Sequence, residues 1–512
     1  MKYETRSPRF QSSQDRHSSS EFAKAMAEER IESNPPPLPP SPMEKLNDFS
    51  DRLSPMLVKE LRQGLRTHTF VIVFLILQGL LALILLTTTV ANINAGGFVS
   101  SIIFFFFGLA VMVIQPLRGM SAISSEIKSD TIDLMSLTKL TAWRIVFGKW
   151  SSIMGQTALL LFAIIPYLIL RYFFGGMQLF SELLLLGTIF FLSGIFTAIT
   201  VGLSACPLAL VRVVPLLTGL CLVYLIPALA FGAFEQTLQI FTPKSSDHWL
   251  GLVAAYAIGG FITYFFLELA ATAIAPSAEN RATRKRLITF LVIPLTFIVL
   301  READHDVAWG FTWLLLFMVS IDFFTENANY PSSVLKPFLR FGFLGRVGAR
   351  FLAPGWATGT LFHLTLFVVI ILISLALGEE LRNPKSLEQW VITGVMLGIL
   401  YLPHLLVQIF AKRISNRLVT YLLFSVLLLG ILPLLAMLDN LGDTEMVVWV
   451  FCFIPHVQLF LERYCDTSTH VTIVWITTGI YLLGSLLFAF KPLANLSKME
   501  TEEIARNTAN QD

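Results

Sequence analysis

Charge is scarce in this chain. Asp, Glu, Lys and Arg make up 14% of its 512 residues, against about 25% in a typical soluble domain. Hydrophobic residues make up 55%, with 43 Phe among them, and the mean hydropathy is +0.69. A water-soluble globule is excluded on those figures. Cysteine is also scarce: Cys206, Cys221, Cys452 and Cys465 are the only four. None sits at C-x-x-C spacing, which argues against a disulfide framework and against a structural zinc site. No phosphate-binding loop of the form G-x-x-x-x-G-K-[ST] occurs. "FGKWSS" (Phe147–Ser152) has the Gly-Lys pair but neither the upstream Gly nor the adjacent hydroxyl residue. The chain is therefore not expected to be an enzyme that hydrolyses ATP, and no cofactor, metal or nucleic-acid partner is expected.

What the chain has in abundance is apolar runs of membrane-spanning length. Backbone polar groups in lipid must be satisfied within the segment, so such runs predict helices. They lie at about 70–91, 98–117, 151–171, 183–204, 213–234, 249–275, 287–300, 307–322, 357–377, 388–411, 417–437 and 469–490. A further run, 445–461, is short and interrupted by Pro455 and His456. The expectation is an all-α polytopic membrane protein of about twelve spans, or thirteen if that run crosses. Twelve is favoured, because a Pro-His break suits a re-entrant or surface element.

Lys and Arg crowd alternate connections. Lys59, Arg62 and Arg66 precede the first span, and "PSAENRATRKR" fills 276–286. Lys336, Arg340, Arg346 and Arg350 share a later connection, and Lys412, Arg413 and Arg417 another. The intervening connections, "NINAGG", "READHD" and "DNLGDTE", are poor in Lys and Arg. The positive-inside rule then places the N-terminus in the cytoplasm. The first 48 residues, with "PPPLPPSP" at Pro35–Pro42, read as a disordered cytoplasmic tail.

Two connections carry amphipathic patterns. At 49–69, Ser54 and Pro55 form a helix start signal, and Leu53, Leu57, Leu61 and Leu65 recur at i, i+4 spacing. That pattern predicts an interfacial helix on the lipid bilayer, with a basic face toward anionic headgroups. Pro331–Phe351 interleaves Leu335, Phe338, Leu339, Leu344 and Val347 with Lys and Arg, and reads as a second interfacial anchor.

The longest charged interlude in the apolar region is "SSEIKSDTIDLMSLTKLTAWRIVFGKW", Ser124–Trp150. Met120, Ile123, Ile127, Thr131 and Leu134 fall on one helical face, predicting a helix over about 119–136. Thr141 then caps a second helix that runs through Gly148 and Lys149 into the next span. A connection needed only for topology could be far shorter.

These residues resemble the loop between the second and third spans of the permease subunit of type-2, exporter-like ABC transporters. That loop carries an acidic residue, a Thr soon after, a Leu-rich turn and a Gly-Lys pair. Here Glu126, Thr131, Leu134, Leu137, Leu140, Gly148 and Lys149 match; Asp130 departs, where the family often has Gly. The resemblance covers about 50–275. It implies a six-helix permease-like core over 70–275 with a cytoplasmic coupling loop at 118–150, docked on a separate ABC ATPase subunit. Met120, Ile123, Ile127 and Leu134 would supply apolar contact. Glu126 would meet a basic groove residue or anchor the loop to the interfacial helix, and Lys149 would mark the return to the membrane. It further implies a second permease chain, identical or different, and a location in the cell (inner) membrane. Residues 276–356 then form a helical hairpin with the basic interfacial segment, 357–490 a C-terminal transmembrane bundle, and 491–512 a polar tail.

Two other classes remain open. A secondary, ion-coupled carrier would place an ionisable group inside the membrane, and Glu268 in "YFFLELAATAIAP" is the residue for it. A non-transport scaffold would recruit a cytoplasmic partner and move nothing. His363, His404 and His456 lack carboxylate or Cys neighbours at ligand spacing and read as interhelical hydrogen-bonders. "EADHD" (Glu302–Asp306) reads as a solvated turn. "GEELRNPK" (Gly378–Lys385) has the paired Glu of an intramembrane protease in the wrong spacing.

Overall fold

A computed structural model describes residues 55–90, 96–129, 140–173, 178–206, 213–242, 246–276, 278–302, 304–328, 330–377, 384–410, 416–432, 434 and 445–509. The proline run, Leu53, Ser54, Asp130, Thr131, Leu134, Leu137 and the paired Glu of 378–385 lie outside them. Among the described residues every regular element is helical. The elements used below are α1 (Pro55–Leu65), α2 (His68–Val90), α3 (Gly96–Gly108), α4 (Ser124–Lys128), α5 (Ala142–Tyr172), α6 (Leu179–Ser204), α7 (Val213–Pro227), α8 (Phe234–Ile240) and α9 (Ser246–Ile274). They continue with α10 (Ala282–Arg301), α11 (His305–Thr325), α12 (Gly342–Leu352), α13 (Trp356–Ala376), α14 (Pro384–Ile409), α15 (Arg417–Leu429) and α16 (Thr467–Ala509). The chain divides into two units, Met1–Val58 and Lys59–Asp512. Of the first, the described part is the opening of α1.

Ten helices among the described residues are long and apolar enough to cross a membrane. The architecture is that of a helical multi-pass membrane protein. Ten of the twelve spans expected from hydropathy fall on those ten helices. The other two fall on α10, whose first turns carry Arg284, Lys285 and Arg286, and on α15, which has 13 residues. At 1.5 Å per residue α15 is about 20 Å long, short of a hydrocarbon core of about 30 Å. The run at 445–461 is broken into Glu445–Val450 and Pro455–Gln458.

Two groups of helices pack around separate apolar cores. Leu81, Ile103, Phe107, Leu160, Ile164 and Phe234 join α2, α3, α5 and α8 in one. The other joins α10, α11, α13, α14 and α15 through Phe297, Leu316, Phe323, Leu366, Tyr401 and Tyr421. Helix α9 places Phe261 and Phe265 in the second core and Leu267, Ala270 and Ala271 in a third, smaller cluster with Val146 and Val201. Lipid tails are as apolar as Leu, so helices in a membrane hold together by close approach at small residues. Gly202 of α6 lies so close to α9 that a Cβ there would come within 2.7 Å of the Phe266 carbonyl oxygen.

Several contacts place chain segments at one end of the bundle. The start of α10 meets the end of α11 through Lys285 and Asp322, and through Arg286 and Glu326. Thr283 Oγ1 donates to Leu352 O at 2.9 Å, bringing α12 there too. Helix α16 has 43 residues, about 65 Å, twice the hydrocarbon thickness. Its final part packs Leu496 and Met499 on Leu335, Phe338, Ala349 and Ala353. Ser332 Oγ donates to Glu503 at 2.6 Å, and Lys336 pairs with Glu503 at 3.3 Å.

Candidate functional site: an ion-paired end of the helix bundle

The site starts with a lysine. Lys149, in the second turn of α5, is 6% exposed. A buried ammonium must be paired and hydrogen-bonded. Its Nζ donates to Glu126 Oε1 at 2.9 Å and to Glu60 Oε1 at 3.2 Å. One cation thus joins α4, α5 and α1. Two residues singled out in the sequence, Glu126 and Lys149, are brought together, and Glu126 anchors the loop rather than pointing into solvent. Glu60 completes the bridge.

A second polar cluster lies beside it. Arg118 donates to Gln115 Oε1 at 3.0 Å, to Thr67 Oγ1 at 3.1 Å, to Gly64 O at 3.5 Å and to Gln156 Oε1. Gly64 and Thr67 form the junction between α1 and α2. The junction is thereby tied to the helical segment that follows α3 and to α5. Leu65 packs with Phe70 and its neighbours, and Leu61 lies beside Gly155. Lys59, Arg62 and Arg66 are exposed. A helix forms over Pro55–Leu65, and two of its leucines, Leu61 and Leu65, rest on the protein.

The loop itself differs from expectation. In place of one continuous helix there is a 3-10 turn at Arg118–Ser121, a break at 122–123, and the five-residue α4. The break shifts the helical phase, so the face read from the sequence splits. Ile123 is 1% exposed and packs inward with Ala142, Val146 and Val201. It is not available to a partner. Met120 is half-buried, Gly148 buried, and Ile127 is 42% exposed beside exposed Ser125 and Lys128. Thr141 precedes α5, and its Oγ1 accepts from Arg144 N at 3.4 Å, as a cap does.

Glu268 is fully buried and faces a cation. Arg281 Nε donates to Oε1 at 2.9 Å and Nη2 to Oε2 at 3.2 Å. Arg281 also reaches Glu279 at 2.5 Å. A two-pronged guanidinium–carboxylate pair of this kind fixes geometry as well as charge. It closes α9 onto the segment leading to α10. Next along, the Arg284 guanidinium lies 5.9 Å from the Trp143 ring and 5.8 Å from that of Tyr264. That cation–π contact carries the connection back to the start of α5.

The largest cluster was not foreseen. Arg286 is fully buried. It donates to Glu326 Oε2 (2.6 Å), Phe351 O (2.7 Å), Ala353 O (2.6 Å), Thr358 Oγ1 (3.0 Å) and Gly355 O (3.0 Å). Lys285 pairs with Asp322 and lies 3.7 Å from Glu326. Gly355 has φ +119°, a conformation that favours glycine. There its N–H donates to Glu326 at 3.1 Å while its carbonyl receives Arg286. Burial alone would push the Glu326 carboxyl up, but Lys285, Arg286 and the Gly355 N–H outweigh it and hold it below its ordinary value. A signal for this cluster was present: Asp322 and Glu326 are four apart, and so share one helical face.

The membrane histidines behave as interhelical bonders in two cases. His363 Nδ1 contacts Tyr401 OH at 3.1 Å, and His404 Nε2 contacts Thr360 Oγ1 at 3.0 Å, both between α13 and α14. Neither ring nitrogen of the buried His456 has a partner in this structure. Asp304, in the acidic turn, caps α11 by accepting from Val307 N at 3.0 Å. All four cysteines are free. Among the described residues no group of three His, Cys, Asp or Glu could hold a metal.

Comparison with protein-family models, with curated proteins and with solved structures finds no match. The functional reading therefore rests on the residues themselves.

Proposed function

We propose that this chain is the membrane-spanning permease subunit of an ABC transporter, driven by ATP hydrolysis in a separate ATPase subunit. The observation that carries the reading is the double ion pair of Lys149. A loop that docks a motor must pass its displacement to the membrane helices without slack. Lys149 links the loop helix α4, the surface helix α1 and the transmembrane helix α5 through one buried cation. Exposed Ile127 and Lys128 are then the partner-facing residues. The Glu268–Arg281 pair weighs against the ion-coupled carrier, because its carboxylate is already committed to a guanidinium.

The reading includes twelve crossings with the N-terminus and the polar tail in the cytoplasm. Two pairings support an even count. Helix α10 starts where α11 ends, so the two cross out and back. The end of α16 touches Ser332 and Lys336, so an even number of crossings separates them; with the broken 445–461 run at the surface, the region around α15 supplies the fourth.

Photocrosslinking in native membranes tests the partner. With a crosslinking amino acid at Ile127 or Lys128, the adduct should be an ATPase bearing a phosphate-binding loop. Crosslinks only to lipid, or to proteins without such a loop, would overturn the proposal.

A further inference from the structure

The connection between α11 and α13 has one feature that neither packing nor the Lys149 linkage uses. Residues 330–358 contain no Asp or Glu. Helix α12 turns its small residues, Gly345 and Ala349, into the protein. Gly345 sits against the Phe338 backbone, where no side chain would fit. The opposite face is apolar and open: Phe343 is 76% exposed, Leu344 78%, and Phe341 just before the helix 76%. Exposed Arg340, Arg346 and Arg350 flank that face.

Position decides what covers it. The preceding span ends at Thr325 and the next begins at Trp356, and the segment is pinned to the start of α10 by Arg286 and Thr283 and to the end of α11 through Gly355 and Glu326. It therefore lies at the level of the membrane surface. Charge narrows the occupant. Lys336, Arg340, Arg346 and Arg350 face two carboxylates of α16: Glu503, paired with Lys336, and Glu500, within electrostatic reach of Arg346 and Arg350. Four cations against two carboxylates leave two positive charges in excess.

We propose that Phe341–Arg350 is a binding surface for anionic phospholipid. Phe341, Phe343 and Leu344 enter the acyl boundary while Arg340, Arg346 and Arg350 hold the headgroup phosphates. Each cation near an anionic surface strengthens binding about fivefold. The excess of two predicts about a 25-fold preference for phosphatidylglycerol over phosphatidylcholine.

The test uses the full chain in neutral detergent, titrated with fluorescent phosphatidylglycerol or phosphatidylcholine. Wild type should show that preference. Arg340→Gln/Arg346→Gln/Arg350→Gln should abolish it, and the matching triple Lys variant should retain it. Phe343→Ser/Leu344→Ser should weaken binding of both lipids. These are exposed positions, and elution as a single monodisperse species controls for folding. Equal affinity for the two lipids in wild type, or an unchanged preference in the Gln variant, would overturn the proposal. So would displacement of the lipid by glycerol phosphate at comparable concentration, which would mean that a free phosphate suffices.

Discussion

Breaking the Arg286–Glu326 pair should cost more than any other single polar change in this protein, and the cost should be non-additive. Arg286 is fully buried and the Glu326 side chain 9% exposed. Together with Lys285 and Asp322 they form a group of two cations and two carboxylates. Arg286→Met leaves one negative charge in excess and takes the Arg286 donor from the Phe351 carbonyl, whereas the Ala353 and Gly355 carbonyls still accept from Thr358. Glu326→Gln leaves one positive charge in excess and weakens the tie to Gly355. Removing one partner of a buried pair costs about 3–5 kcal/mol. The double variant Arg286→Met/Glu326→Gln leaves Lys285 and Asp322 to neutralise each other. Its cost should stay near that of the costlier single change, so the coupling in a double-mutant cycle should be close to the cheaper single cost, about 3 kcal/mol. Equilibrium unfolding in mixed micelles of mild detergent and dodecyl sulfate measures all four proteins. Single costs below about 1 kcal/mol, or costs that simply add, would refute the reasoning.

Further outcomes follow from the same geometry. The Glu326 carboxyl is held below its ordinary value, so its contribution is present above the unfolded carboxylate value of about 4.3 and is lost as pH falls through the folded one. The stability gap between wild type and Glu326→Gln should be flat from about pH 8 to pH 5 and should shrink below that, read as Tm against pH. Gly202→Ala inserts a methyl against the Phe266 carbonyl and should destabilise by about 1–3 kcal/mol in the same assay, as overpacking does. Single cysteines in place of exposed Lys128, Arg340 and Lys498 should react with an impermeant thiol reagent from one side of sealed vesicles, and one at Asp306 from the other. Labelling of Lys498→Cys and Arg340→Cys from opposite sides would contradict the packing of α16 on the 331–353 connection.

The helical class was fully legible in the sequence, because lipid leaves an apolar chain few other choices. Ten expected spans fell on ten long apolar helices. Span ends were harder: of the three charges at the start of α10, an ion-pair cluster absorbs Lys285 and Arg286 and aromatic rings receive Arg284, and no local pattern shows that. The pairing of Glu126 with Lys149 was half legible, since both residues stood out as charges in the same interlude. Glu60 did not, because its partner lies 89 positions away. The inward turn of Ile123 was hidden for a different reason. A periodic reading assumes one unbroken helix, and the 3-10 turn and the break at 122–123 leave Ile123 buried while Ile127 is exposed. Arg286 looked like a topology signal. It is a buried hub because α12 and α13 bring four carbonyl and hydroxyl oxygens to it, an arrangement set by distant segments.

Co-purification from native membranes tests the central claim most directly. Wild type and Ile127→Asp/Lys128→Glu are extracted in mild detergent by a C-terminal tag. Both changes lie at exposed positions of α4, so the Lys149 linkage stays intact. The account predicts a stoichiometric ATPase with a phosphate-binding loop beside wild type and its loss from the variant. Wild type without any such ATPase, under conditions that preserve other membrane complexes, or an ATPase retained equally by the variant, would contradict it.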